Sequence, residues 1–191
     1  MQRDVRWTNF NTLTWKQKVK KHNYDVMLGH EVSYKSTEYL LGEAMGFPFD
    51  QMENDNMGLG ATPSKVESTY YDKTLLSFYA RANYNYDNRY LFTATVRADG
   101  STVFSSNKKW GFFPSFSAAW RVSEEAFMKD IKWISNFKIR LGWGTVGNDN
   151  IPNYLSLDLY EANKYGIGNS SVTVLNPKQL RNKNLKWEGS N

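Results

Sequence analysis

The chain has no cysteine, so it holds neither a disulfide framework nor a thiolate metal or redox site. It has no run of about 18 apolar residues, which excludes a transmembrane helix. No apolar stretch follows Met1-Gln2-Arg3-Asp4, so no secretion leader is recognisable; if the protein works outside the cytoplasm, its beginning is expected to lie elsewhere. Histidine is scarce, with only His22 and His30. His30 precedes Glu31, which invites a metal or acid–base reading. Neighbouring residues of a strand point to opposite faces, however, so these two cannot share one ligand. No catalytic residue, metal or cofactor is expected, and no enzymatic activity. The net charge is +5, but the basic residues are scattered, with one short cluster at Lys16, Lys18, Lys20 and Lys21. Without a basic stripe, a nucleic-acid partner is not expected.

What the chain does have is alternation. Its 191 residues suffice for one ordinary domain, and 40% hydrophobic with 23% charged residues is not the composition of a disordered tail. From Ser77 the apolar and aromatic Phe78, Ala80, Ala82, Tyr84 and Tyr86 alternate with Ser77, Tyr79, Arg81, Asn83 and Asn85. After a turn at Asp87-Asn88 the pattern restarts, with Tyr90, Phe92, Ala94, Val96 and Ala98 against Arg89, Thr93, Thr95, Arg97 and Asp99. A third run sets Phe112, Pro114, Phe116, Ala118, Trp120 and Val122 against Ser115, Ser117 and Arg121. Period two means β-strands with two unlike faces. Earlier runs, Asn9–Val19 and Tyr24–Tyr34, and a later one, Asn136–Thr145, repeat the pattern, and another strand is expected near Leu185.

The connections alternate in length. Lys20–Asn23 and Asp87–Asn88 are short and Ser123–Ser135 is compact, whereas those after Tyr34, Asp99 and Gly147 are longer. Thr37–Met45 is expected as a short helix within a long loop of about 36–70, and Ser123–Met128 as a short capped helix. Asp99-Gly100-Ser101 is expected as a turn, and a minor hairpin inside a long segment of about 147–184. Short connections at one end and long ones at the other mark an up-and-down meander, as in outer-membrane barrels. A strand of about 11 residues tilted by about 40° spans roughly 28 Å, close to the apolar band of about 25 Å. The mean hydropathy of −0.64 does not count against this, because such strands show lipid only every second residue. Aromatics reach 16%, and Tyr84, Tyr86, Tyr90 and Trp120 fall near the short-turn end while Trp110 and Phe112 fall near the other, as two interfacial girdles require. Arg81, Arg97, Arg121 and Arg140 then face the lumen, as do Gly142 and Gly144. The alternative is a soluble β-sandwich or lipocalin-like binding protein, for example one that binds carbohydrate, with the apolar faces as its core.

Several segments resemble the SusC/RagA family of TonB-dependent outer-membrane transporters of Bacteroidetes. They are Arg97-Ala98-Asp99-Gly100-Ser101, Lys109-Trp110-Gly111-Phe112-Phe113-Pro114-Ser115 and Ala119-Trp120-Arg121-Val122-Ser123-Glu124-Glu125. So are Phe137-Lys138-Ile139-Arg140-Leu141-Gly142-Trp143-Gly144 with Gly147-Asn148, Asn182-Lys183-Asn184-Leu185-Lys186-Trp187-Glu188, Leu28-Gly29-His30-Glu31 and Gly46-Phe47-Pro48. The resemblance runs in register over nearly the whole chain. It implies an all-β fold: six to seven strands of an antiparallel up-and-down meander, part of a 22-stranded plugged barrel. All of residues 1–191 would belong to that barrel, without the plug, with 36–70 and 147–184 as extracellular loops. It further implies import of oligosaccharides or peptides, a SusD-like surface lipoprotein as partner, energy from TonB through an N-terminal part outside this chain, and contact with outer-membrane lipid. The family's usual Ser-Arg-Phe after Asp-Gly-Ser is here Thr102-Val103-Phe104, which removes the arginine from that loop tip.

Overall fold

A computed structural model describes residues 1–49, 56–168 and 170–190, leaving aside the side chain of Ile167. It is all-β. Strands β1 (Gln2–Val19), β2 (His22–Met45), β3 (Thr62–Tyr86), β4 (Tyr90–Ser101), β5 (Trp110–Arg121) and β6 (Lys138–Gly144) form one six-stranded sheet in sequence order, every neighbour antiparallel. β7 (Val146–Asn148) follows β6 after a break at Thr145, whose N–H donates to the Pro114 carbonyl at 3.0 Å. β10 (Glu188–Ser190) pairs with β7, and so forms the seventh strand expected near Leu185. β8 (Leu159–Ile167) and β9 (Ser170–Gln179) make the expected minor hairpin.

The register locks the alternation into faces. One row runs Trp15, Val26, Ala82, Ala94, Phe116 and Trp143 across six strands. The next row on the opposite face runs Lys16, Asp25, Asn83, Thr93, Ser117 and Gly142. A slip of one residue would mix the two sets, so the pattern of side chains fixes the register. The β3–β4 turn helps: Asp87 and Asn88 both take positive φ, 50° and 55°, and the Arg89 N–H closes on the Tyr86 carbonyl at 2.9 Å. This is the primed turn whose twist suits a hairpin, and Asp and Asn tolerate it better than most residues.

Three sequence expectations are corrected. Thr37–Met45 is not a helix but the upper part of β2, which runs for 24 residues against 25 in β3. The expected loop of about 36–70 is therefore largely a tall hairpin, joined through 46–61, of which 50–55 lie outside the described residues. Cross-strand pairing with Thr62–Tyr71, rich in β-branched and aromatic residues, overrides the local helix propensity. Ser123–Met128 forms two single 3-10 turns, Val122–Glu124 and Ala126–Met128, with no side-chain cap. Asp99-Gly100-Ser101 is the end of β4 and not a turn.

No second sheet covers the apolar face among the described residues. Leu13, Leu28, Phe78, Phe112, Phe116, Leu141 and Trp143 all stand exposed on it, and the buried apolar side chains of the described residues are only Val103, Phe104 and Val122. The sandwich alternative, which needs those faces as its core, has no support in this arrangement.

Candidate functional site

The site is the wall itself, with a different chemistry on each face. On the apolar face the row nearest the short turns is Val19, His22, Tyr86, Tyr90, Trp120 and Ile139, and the next holds Tyr24, Tyr84 and Phe92. These rings touch: Tyr24 and Tyr84 centroids are 5.2 Å apart, His22 and Tyr86 4.9 Å, and Tyr86 and Tyr90 6.3 Å. Toward the long connections, Trp110 aligns with Leu76 and Val32, Phe112 with Phe78 and His30, and Phe78 lies 6.2 Å from Trp110. The expected aromatics thus fall into two groups ten residues apart along β5, about 25 Å in height at the usual tilt. Between them lie the small Ala80, Ala82, Ala94 and Ala118, but also Trp15, Phe116 and Trp143 in the same row as Ala82, so the division is sharpest in β3 and β4.

The short-turn end is stitched by charge. Lys21 donates to Asp87 at 2.8 Å, Arg89 lies 3.4 Å from the same carboxylate and 3.2 Å from Glu125, and the Arg121 N–H donates to the Arg89 carbonyl at 2.8 Å. Glu125 also accepts from the Tyr90 hydroxyl at 2.7 Å and from the Trp120 indole at 3.1 Å. The hydrogen bond from Tyr90, then that from Trp120, hold the Glu125 carboxyl below its ordinary pKa, with Arg89 adding to both. The Lys21 ammonium does the same for Asp87, again with Arg89.

On the polar face the register places Arg81, Arg97, Arg121 and Arg140 together, as the alternation implies. They do not act alike. Arg97 is clamped: its Nε donates to both Asp99 oxygens at 2.7 and 2.9 Å, its Nη2 to Ser77 at 2.9 Å, and Glu31 lies 3.6 Å away. Asp99 and Ser77 are 7% and 0% exposed, so the guanidinium serves to neutralise a buried carboxylate. The guanidinium also sits 5.6 Å over the Tyr79 ring, and that ring lies across Gly29, where a Cβ would come within 2.5 Å of it. Leu28-Gly29-His30-Glu31 is thereby explained: Gly29 makes room, Glu31 turns to Arg97, and His30 stands on the other face beside Asn11 at 3.3 Å. Among the described residues Arg81 reaches only Thr95, at 3.4 Å.

One cluster was not foreseen from the sequence. The connection after β4 folds in, burying Val103 and Phe104, the latter 1% exposed. Phe104 and Phe113 each lie 5.3 Å from Trp187, whose indole donates to the Lys109 carbonyl at 2.8 Å. Gly111 and Gly147 lie under Phe113, leaving no space for a Cβ at either. Thr102-Val103-Phe104 thus supplies an apolar anchor at the tip. Gly144 likewise allows close approach, a Cβ there falling 2.7 Å from Ser115 Cβ, while Gly142 has ordinary room. Beside the anchor, a cavity of about 640 Å³ opens among the long connections, lined by Asp72, Asn107, Tyr154, Arg181 and Lys183.

A sheet with one apolar and one polar face, ordered as a meander with short connections at one end, is the wall of a membrane β-barrel. Residues 2–191 match the family model described as "TonB dependent receptor-like, beta-barrel", and the chain belongs to that family. It is 45% identical over 120 residues to TonB-dependent receptor SusC of Bacteroides thetaiotaomicron, covering 60% of this chain and 12% of that protein. It is 35% identical over 191 residues to TonB-dependent receptor P26 of Formosa agariphila, covering 97% of this chain and 19% of that protein. The solved RagAB peptide transporter superposes with a TM-score of 0.89 at 27% identity, over 98% of this chain and 21% of the solved one. The expected SusC/RagA relationship is therefore shown, and the chain spans about a fifth or less of the length of these relatives.

Proposed function

We propose that the chain forms part of the barrel wall of an outer-membrane transporter in a Bacteroidetes-type Gram-negative bacterium. The apolar face meets lipid, with Tyr84, Tyr86, Tyr90 and Trp120 at one interface and Trp110 and Phe112 at the other. The polar face, with Arg81, Arg97, Arg121 and Arg140, lines the lumen. The long connections, among them the β2–β3 hairpin top and 147–184, face outward. The transporter imports oligosaccharides or peptides, works with a SusD-like lipoprotein, draws energy from TonB through parts outside this chain, and is not an enzyme. The observation that carries this reading is the register: six strands align apolar with apolar and polar with polar, while the apolar face carries no covering layer among the described residues.

The test is uptake by the full-length protein in its own cell. Labelled oligosaccharides and peptides are expected to enter only when the gene is intact and the inner membrane is energised. Uptake unchanged by deletion of the gene, or recovery of the protein in the soluble fraction, contradicts the reading.

A further inference from the structure

The face that carries the aromatic girdles does not end at the upper one. Asn9, Val32, Leu76 and Trp110 share a row, and above it β1, β2 and β3 continue without β4 and β5. There Trp7 of β1, Tyr34 of β2 and Tyr70 of β3 keep the same parity, so they stand on the same face. Tyr34 lies two residues above the Trp110 row and Tyr70 six, about 5 and 15 Å higher at the usual rise and tilt. Trp7 and Tyr34 ring centroids are 6.1 Å apart, and the Tyr34 and Tyr70 hydroxyls 3.0 Å. Trp7 and Tyr70 are nevertheless 49% and 52% exposed. Beside Tyr70 opens a concavity of about 390 Å³, with Arg3, Glu38, Leu40 and Ser68 on its walls. Arg3, Glu38 and Asp72 are the charged residues of this upper strip among the described residues. Its lower end is polar as well: the Asn11 amide donates to Asn9 at 2.9 Å and meets the His30 ring at 3.3 Å, in the row that holds Phe78 and Phe112 on later strands.

We propose that this strip is a saccharide site, occupied by uncharged sugars of the lipopolysaccharide that surrounds the barrel. Three observations select that occupant. The first is height: the strip starts where the apolar band ends and faces away from the lumen, and there the sugars of the outer leaflet begin. The second is chemistry. Exposed rings offer flat apolar surface to the C–H side of a sugar, and Arg3, Glu38 and Ser68 offer donors and acceptors to its hydroxyls. One cation against two carboxylates does not suit a phosphate. The third is size, since the concavity has the volume of a small-ligand site and not the broad area of a protein contact. The lipid end of such a molecule rests on the apolar face below, so its sugars arrive already tethered and at high effective concentration. Asn9, Asn11 and His30, costly against hydrocarbon, then meet the polar junction between lipid and sugar.

The inference rests on the barrel reading, so its test uses the full-length protein, in its membrane and purified from it. The probe is the core oligosaccharide released by mild acid from the host's own lipopolysaccharide. Saturation-transfer NMR on the heat-modifiable barrel in detergent is expected to show it bound. Trp7→Ala or Tyr70→Ala is expected to raise its Kd about tenfold, the upper end of what one stacked ring contributes. Trp7→Phe keeps a ring and is expected to keep most of the affinity, and Phe112→Ala, in the girdle below, to leave it unchanged. In cells, a photo-reactive amino acid at Val5 is expected to give an adduct that carries lipopolysaccharide. No binding by a barrel that is still heat-modifiable, an unchanged Kd in W7A and Y70A, or a Val5 adduct with protein alone overturns the inference. If the unsubstituted protein is not heat-modifiable, the barrel reading falls first and the inference with it.

Discussion

The Trp120 indole N–H donates to Glu125 Oε1 at 3.1 Å, across the start of the compact connection between β5 and β6. Tyr90 on the neighbouring strand donates to the same oxygen at 2.7 Å, and Arg89 approaches the other oxygen at 3.2 Å. One carboxylate therefore ties two ring side chains of the apolar face to the turn that closes the sheet. Such rings want an apolar body and a polar tip, and Glu125 satisfies the tips.

Replacing Glu125 by Ala is expected to lower the thermal stability of the detergent-refolded full-length barrel more than replacing the adjacent, exposed Glu124. Equal effects of the two substitutions would show that the Trp120–Tyr90–Arg89 cluster contributes nothing.

The same cluster predicts a pH dependence. The folded pKa values of Glu125 and Asp87 are depressed, so their contribution is complete above the ordinary carboxylate range and is lost as pH falls through the folded values. Below pH 4 the short-turn end should loosen first, seen as faster amide exchange at 87–89 and 121–125 than in the strand centres. A Glu125→Gln variant should flatten that acid limb. Uniform exchange over the sheet at low pH would contradict the assignment.

The loop anchor predicts a size rule. Phe104→Ala removes the largest fully buried side chain among the described residues, and a loss of about 3 kcal/mol in denaturant unfolding is expected. Gly147→Ala drives a methyl into the Phe113 ring and should destabilise by itself, while Phe113→Ala in the same chain should recover part of the loss. Simple additivity of the two substitutions would rule out the contact.

Arg97 and Asp99 should couple. Arg97→Ala leaves a buried carboxylate without its partner and is expected to cost more than Asp99→Asn, with a coupling of about 1 kcal/mol in a double-mutant cycle. Equal costs would place the pair in free solvent.

Most of the sheet was legible in the sequence because period-two alternation is a property of each strand alone. Tyr84 and Arg81 declare opposite faces without reference to anything else. The upper part of β2 was not legible: Tyr39-Leu40-Leu41 breaks the alternation, and pairing with Thr69 and Ser68 across the hairpin, and with Gln2 of β1 on the other side, makes it a strand. Asp99-Gly100 has the composition of a turn, yet Arg97 two residues back on the same face holds Asp99 in the ladder, a contact that propensity does not see. Phe104 and Trp187 meet across 83 residues of chain, and no local signal joins them. Lys18 and Arg140 likewise share a row only once five strand pairings are known.

The central claim is that the apolar face meets lipid and the polar face meets water. Charge placement offers one check: Ala94→Arg, in mid-sheet on the apolar face, should destabilise by about 2–4 kcal/mol, while Thr95→Arg should be tolerated. The most direct measurement is spin-label accessibility at single cysteines through Leu91–Ala98 of β4 in the full-length protein in liposomes. Collision with oxygen should peak at Phe92, Ala94, Val96 and Ala98, and collision with a water-soluble nickel chelate at Leu91, Thr93, Thr95 and Arg97. Accessibility without a two-residue period, or with the two probes exchanged, would contradict the account.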